Sequence, residues 1–431
     1  MEKETVFLKL MAKKLAGTAF ENKVFAVGGF VRDQLLGLNS KDLDLVINKN
    51  GGSKEFTSWL KESLGTSEPY ELGKGYPIWQ ITFKEDIVYQ GEVYPLKGLV
   101  IECADTQKES FPDENTRQRV TTFGSLEEDT ERRDFTINMI KIDLTTGKIV
   151  DSAGGQEDLK NKVLRTHPNV EASKIFQDDP LRMLRLVRFY HRFNFKIPYS
   201  LLKTVKKNRQ RISIISQERI NGEVDKILSK NPNNSLKLIK VLKLDEEIFK
   251  NTNFPVDNYS DSKESNYLRF FSNYDATDKN LNSFKISPEI RRIILLKQKV
   301  DSSNSVAETR SILMKAEEDL LTLKNYYEKY NMLKYQEVLQ ATVVPFSDNV
   351  DLSGEEIYKK FGISPGPLMG KFKKLLQEYS NEAAAKGEIP RAEEIISKVA
   401  DFDLKCQKCG RGYKLSSKGA TATLGPKCSK I

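Results

Sequence analysis

Histidine is nearly missing. His167 and His191 are the only two in 431 residues, and neither stands with acids at a metal-ligand spacing, which sets aside a phosphohydrolase centre of the His-Asp kind. Four cysteines, Cys103, Cys406, Cys409 and Cys428, are too few and too unevenly placed for a disulfide framework and point to a reducing, cytoplasmic setting. No apolar run approaches the roughly 20 residues needed to cross a bilayer, so no membrane contact of that kind is expected. The stretch from Met1 to Gly17 lacks the continuous apolar segment and small-residue cleavage site of a leader and reads as an amphipathic helix. Neither GxGxxG nor GxxxxGK[ST] occurs, which removes a dinucleotide-binding oxidoreductase and a P-loop NTPase.

What is present first is charge. The chain carries a net +9, unevenly spread. Between Lys160 and Arg211 there are 14 Lys plus Arg against three acids, Glu171, Asp178 and Asp179. That stretch alone holds +11, the footprint of a polyanionic partner; the bland alternative is a solvated basic helix face.

The spacing of apolar residues predicts a mixed α and β region over the first 150 residues or so. Short β-branched runs at Val24 to Val27, Leu43 to Ile47, Ile78 to Phe83, Gly98 to Glu102 and Ile140 to Leu144 read as strands of one sheet, and Val31 to Leu36 as a short helix ending at Gly37. After Gly154-Gly155 helical periodicity takes over. Leu181 to Phe195 is the clearest helix, with Met183, Leu186, Val187 and Tyr190 on a packing face and Arg182, Arg185, Arg188 and Arg192 on one that faces anions. Further helices are expected at Glu289 to Val300, Ala307 to Lys329 and Gly354 to Phe361, the last with Ser353 and Glu356 as a capping box. The polar stretch Asn251 to Ser283 reads as a long surface connection. The fold class is therefore α+β, a mixed-sheet head followed by a mostly helical neck, body and tail. Boundaries fall at 1–155, 156–230, 231–345, 346–400 and a basic cysteine-containing segment, 401–431.

The chemistry concentrates in residues 24 to 47, VFAVGGFVRDQLLGLNSKDLDLVI. Positions two apart on a strand share a face, so Asp42 and Asp44 can hold one divalent ion or bridge two, and their hard oxygen donors suit Mg²⁺. Gly28 and Gly29 let backbone N–H groups approach a triphosphate at the start of the helix that follows, with Arg32 reinforcing the contact. Glu102 is a candidate third metal carboxylate, or simply the end of its strand.

GGFVRDQLLG followed by KDLDLVI resembles the signature of tRNA nucleotidyltransferases and poly(A) polymerases of the bacterial and eukaryotic type, within the DNA polymerase beta superfamily. RRDFTIN at Arg132 to Asn138 and FQDDPLRMLRLVRF at Phe176 to Phe189 follow in that family's order, and the resemblance is strong from about residue 20 to 230. It implies that Asp42 and Asp44 are catalytic and that Arg132, Arg133, Asp134 and Asn138 meet the nucleotide's sugar and phosphates. The residue chemistry agrees, guanidiniums suiting phosphate and Asp or Asn suiting ribose hydroxyls; the alternative is a structural Arg133–Asp134 ion pair. It further implies that Asp178, Asp179 and Arg182 choose the base, with Arg185 and Arg188 also at the nucleotide. A carboxylate accepting from the amino group of cytosine or adenine, beside an arginine donating to the ring acceptor, fails with guanine and uracil. Asp179 and Arg182, at i and i+3, are expected on one helix face, and the alternative to base selection is an ordinary ion pair there. Asp178 stands where the family usually has Glu, and Gln107 where it commonly has Arg, in a stretch from Asp105 to Asp129 matching the loop these enzymes use when switching to A addition. Glu218, Arg219 and Glu223 resemble the last family motif, a helix supporting the pocket.

The function implied is addition of CCA to tRNA 3′ ends from CTP and ATP with release of pyrophosphate. A poly(A) polymerase, or a partial enzyme adding only CC or only A, shares the scaffold; a non-catalytic RNA-binding protein is the rival from another class. CQKCG at 406 to 410 with Cys428 makes three quarters of a zinc ribbon. Since the partner position, 431, is isoleucine, the segment reads as a metal-free basic knuckle in preference to a Zn²⁺ site of Cys406, Cys409 and Cys428.

Overall fold

The structure, a computed structural model, describes residues 2–40, 42–72, 76–111, 119–249, 254–272, 281, 284, 286–361, 365–392, 394–395, 404–405 and 412–413. The chain divides into two compact units, the first running to about residue 251 and the second starting at about residue 259. The boundaries expected at 155 and 230 thus fall inside the first unit.

That unit opens with α1 (Lys3–Lys14), β1 (Val24–Val27), α2 (Gly29–Leu35), β2 (Leu43–Ile47) and α3 (Gly52–Leu64). Then come β3 (Tyr70–Leu72), β4 (Ile78–Thr82), the hairpin β5 (Ile87–Tyr89) and β6 (Glu92–Tyr94), and β7 (Val100–Asp105). A second hairpin, β8 (Gln107–Ser110) and β9 (Val120–Phe123), leads to α4 (Leu126–Glu131), β10 (Lys141–Asp143) and β11 (Ile149–Val150). Seven strands form one sheet in the order β11-β10-β1-β2-β7-β4-β3. Only β2 and β7 run parallel, and α3 lies in the crossover between them as such a connection requires. β1 is buried at all four residues, as an all-apolar run at the centre of a sheet should be. The expected strand at Gly98 to Glu102 starts later and extends to Asp105, because Gly98 takes φ +80 in a turn. The carboxylate of Asp105, at the strand's end, accepts from the N–H groups of Gly51 and Ser53 at 2.6 Å each and so caps α3.

The rest of the unit is helical: α5 (Gly155–Asn161), α6 (Ala172–Asp178), α7 (Leu181–Phe193), α8 (Tyr199–Asn208), α9 (Gln217–Leu228), α10 (Asn233–Val241) and α11 (Asp245–Ile248). A Cβ on Gly155 would overlap the Thr136 carbonyl oxygen, so the glycine lets α5 dock against the 3-10 turn Thr136–Asn138. α7 ends two residues sooner than expected, at Asn194 in the left-handed region with φ 53.

The second unit is helical where described, apart from two short paired strands, Leu404–Lys405 and Gly412–Tyr413. The expected connection from Asn251 to Ser283 contains a helix, Lys263–Phe270, which buries Tyr267, Leu268 and Phe270. The expected helix Ala307 to Lys329 is two, Val306–Leu313 and Leu320–Tyr330, broken by a 3-10 turn at Glu317–Asp319. Gly354–Phe361 forms as expected, Ser353 and Glu356 exchanging cap hydrogen bonds of 2.8 and 3.2 Å. No helix among the described residues is long and apolar enough to cross a membrane. Cys406, Cys409 and Cys428 lie outside the described residues.

Candidate functional site

β1 ends at Val27, whose register partner on β2 is Asp44; Asp44 in turn sits beside Glu102 on β7, and Glu102 beside Gln80 on β4. One row across the sheet therefore carries Asp44, Glu102 and Gln80, and the Gln80 amide donates to Glu102 at 3.1 Å. Asp42, two residues before Asp44, adds its charge to the same place. Asp44 keeps surface in an open cleft, yet the cleft walls strip enough water, and Glu102 and Asp42 add enough negative charge, to raise its pKa to about 6 against the pull of Arg133. Asp42 and Asp44, two residues apart and offering only hard oxygen donors, fit a divalent cation such as Mg²⁺. Among the described residues no group of three or more His, Cys, Asp or Glu is arranged to hold a metal.

Gly28 caps α2 with φ +71 and ψ −133, a combination open essentially to glycine alone. A Cβ there would find ordinary van der Waals space, 3.8 Å from an Arg133 nitrogen and 3.9 Å from the Asp44 carboxylate. The penalty of a side chain is thus in the backbone. Gly28→Ala is expected to cost about 2 kcal/mol, read as a lower melting temperature, and to reduce triphosphate affinity by displacing the turn.

The cleft beside this turn encloses about 660 Å³. All the residues assigned from sequence to nucleotide contact line it, together with Asp42 and Asp44; Glu102 and Asp178 do not. Asp178 faces two neighbouring pockets with Glu109, and burial raises its pKa against the pull of Lys174 and Arg182. Six further residues line it without having been assigned a nucleotide contact from sequence: Glu109, Arg119, Leu181, Phe189, Arg219 and Lys226. All but Lys226 lie in stretches that the motif pattern had named, and Arg219 was itself read there as part of a supporting helix. Nine Lys or Arg against five Asp or Glu line the cleft, an excess of four positive charges that favours a polyphosphate.

The arginines are not bare. Arg32, nearly buried, donates to Asp33 at 2.8 Å and to the Asn138 amide oxygen at 2.6 Å, and lies over the Phe189 and Phe193 rings. The Asn138 amide nitrogen donates to Asp134 at 2.9 Å, whose other oxygen takes Arg185 at 2.8 Å. Burial opposes the charge of Asp134, but Arg185, Asn138 and Arg182 outweigh it and hold the pKa at about 2. Arg188 pairs with Glu223 at 2.5 Å and Arg192 with Asp33 at 2.9 Å. The face of α7 expected to meet anions thus docks on carboxylates of α2, α9 and the RRD segment.

Two structural alternatives weighed from sequence are overturned. Arg133 pairs with Asp129, not with Asp134. Asp179 and Arg182 do not share a helix face: Asp179 leaves α6 in an extended conformation, φ −135 and ψ 94, and pairs with Arg219 at 3.0 Å. Arg182, on the first turn of α7, donates instead to the backbone oxygens of Ile175, at 3.1 Å, and Arg132. Both side chains still line one cleft.

A mixed sheet with paired carboxylates at its glycine turn, facing a cationic helical wall, defines a nucleotidyltransferase head with its neck. The family described as "Poly A polymerase head domain" matches residues 24–165, and "Probable RNA and SrmB- binding site of polymerase A" matches 194–254. The chain is 28% identical over 396 residues to a CCA-adding enzyme of Ligilactobacillus salivarius, covering 85% of this chain and 89% of that one. It is 36% identical over 229 residues to a mitochondrial CCA tRNA nucleotidyltransferase of Candida glabrata, covering 52% of this chain but 42% of that one. Among solved structures, the CCA-adding enzyme of Bacillus stearothermophilus in complex with CTP superposes with a TM-score of 0.62 at 20% identity, covering 93% of this chain and 97% of that one. That of Thermotoga maritima complexed with tRNA gives 0.58 at 21%, covering 91% and 94%. Residues 24–165 therefore carry the head domain of the poly(A) polymerase family, and residues 194–254 the RNA-binding segment that the second family model describes.

Proposed function

We propose that this protein completes the CCA end of tRNA, joining CTP- and ATP-derived nucleotides to the RNA 3′-hydroxyl and releasing pyrophosphate, in the cytoplasm. The observation that carries the reading is one cleft holding Asp42, just before β2, and Asp44 on it, together with Asp179 and Arg182 on the helical side. A triphosphate bound there has its phosphates among Arg132, Arg133 and the Gly28-Gly29 turn. Its base meets Asp179 as acceptor and Arg182 as donor, a pattern that suits cytosine and adenine and rejects uracil and guanine. Asp42 and Asp44 would hold Mg²⁺, which supplies charge neutralisation at the triphosphate and a more acidic 3′-hydroxyl. Glu102, beside Asp44 and held by Gln80, acts on Asp44 through its charge. The basic stretch of α7, α8 and the residues that follow supplies RNA affinity. The relatives named as CCA-adding enzymes support this reading over poly(A) polymerase, which the description of the matched head domain keeps in view. The C-terminal cysteines and Zn²⁺ have no part in it.

The test gives purified protein Mg²⁺ and tRNA transcripts ending before CCA, after C and after CC, each with single labelled nucleotides. Addition that stops after CCA is expected. An unlimited A tail would move the assignment to poly(A) polymerase, C addition alone to a partial enzyme, and no addition to an RNA-binding protein.

A further inference from the structure

Asp129 entered the sequence reading only as the end of the stretch from Asp105, yet its side chain is completely buried and the two arginines of the RRD segment close on it. One carboxylate oxygen accepts from Arg132 Nε and Nη2 at 3.0 and 2.7 Å, and the other from Arg133 Nε and Nη2 at 3.2 and 2.9 Å. The first oxygen also takes the backbone N–H of Gln107, where the β8–β9 hairpin begins, at 3.3 Å. Each guanidinium thus spends one edge on Asp129 and has its Nη1 pointing elsewhere. Arg132 Nη1 meets Glu109 of the hairpin at 3.1 Å. Arg133 Nη1 lies beside Gly28, across from the Asp44 carboxylate. Behind the pair, Lys141 is buried on β10 and donates to the Thr130 hydroxyl; its charge favours the ionised form of Asp129. Asp129 itself does not line the cleft.

We infer that Asp129 is a positioning residue, dividing two adjacent guanidiniums so that Arg133 presents one nitrogen to the triphosphate end of the cleft and Arg132 presents one to the hairpin. Two neighbouring cations repel each other and pair with whatever carboxylate is within reach. Deprived of Asp129, Arg133 would be drawn toward Asp44, whose charge it already offsets, and would occupy the place where a phosphate should bind. Asp129 prevents that collapse because two N–H groups of each guanidinium converge on one of its oxygens, which holds the orientation of the group as well as its distance. The inference rests on the cleft being a nucleotide site.

The experiment measures ATP and CTP affinity of the full chain by calorimetry, alongside steady-state addition to tRNA ending in CC. Asp129→Asn is expected to weaken both affinities about tenfold and to raise KM more than it lowers kcat; Arg133→Lys, which keeps the charge and loses the fork, should do the same. The double variant should be no weaker than either single, since both remove one interaction. Asp129→Glu, which keeps the buried charge and moves it by one methylene, is the second variant if asparagine prevents folding, with an expected loss of about threefold. Unchanged affinity in the folded variants, additive losses in the double, or a wild type that binds neither nucleotide would each overturn the inference. If the wild type binds triphosphate but extends no RNA, the proposed reaction fails while affinity alone decides the role of Asp129.

Discussion

Replacing Asp42 and Asp44 together by alanine should lower the rate of nucleotide addition by about 10⁴-fold, on the order of 5 kcal/mol of transition-state stabilisation, while leaving the fold intact. Among the described residues the two carboxylates make no hydrogen bond that holds the sheet; β2 keeps its place through Leu43, Leu45, Val46 and Ile47, all buried. The raised pKa of Asp44 gives the single variant a stability signature of definite sign. A carboxyl whose folded pKa lies near 6, above its unfolded value of about 3.9, favours the folded state below the lower value and loses that contribution as pH rises to the higher. Asp44→Asn removes the cost of ionising at neutral pH, so without divalent metal it should be more stable than wild type at pH 7. The gain is about 1 kcal/mol after allowance for solvent in the open cleft, and should vanish near pH 4. Melting curves at the two pH values check this; a variant less stable at pH 7, or an advantage that persists at pH 4, would count against the electrostatic account of the site.

Arg182→Ala should reduce discrimination of CTP over UTP and of ATP over GTP by about 100-fold in kcat/KM, because the donor that distinguishes ring acceptors from ring N–H groups is gone. The same change leaves the Ile175 and Arg132 carbonyls without their donor, so it should also cost about 2 kcal/mol of stability. Arg182→Lys should rescue neither effect fully, since an ammonium cannot reach two carbonyls and a base in one plane. Competition of CTP with UTP on tRNA ending before CCA, and of ATP with GTP on tRNA ending in CC, reads the selectivity directly; unaltered ratios would remove Arg182 from base choice and leave it a structural link between α6, α7 and the RRD segment.

Most strands of the head were legible because apolar runs between glycines and acids have one economical arrangement, and the three motif blocks named residues that line a single cleft. What escaped the sequence were partners distant along the chain. Nothing near Arg185, Arg188 or Arg192 says that Asp134, Glu223 and Asp33 receive them. The conformation of Asp179 was available and passed over. A residue before proline is pushed out of the helical region, so Pro180 already separates Asp179 from the helix that carries Arg182. Ser, Asn and Asp similarly masked the helix Lys263–Phe270, whose buried face is carried by three large side chains in eight residues.

The register of β2 gives the head an unusual intolerance. Asp44 is locked opposite Val27 on one neighbour and beside Glu102 on the other, and side chains alternate faces along a strand. A single residue inserted between Asp42 and Asp44 would put them on opposite faces while every acidic residue survived. An added residue would be absorbed more readily in the connection from Gly37 to Ser40, where α2 has ended and β2 has not begun; the spacing of the two aspartates carries as much information as their presence, and counting acids in an altered copy would miss the insertion that separates them.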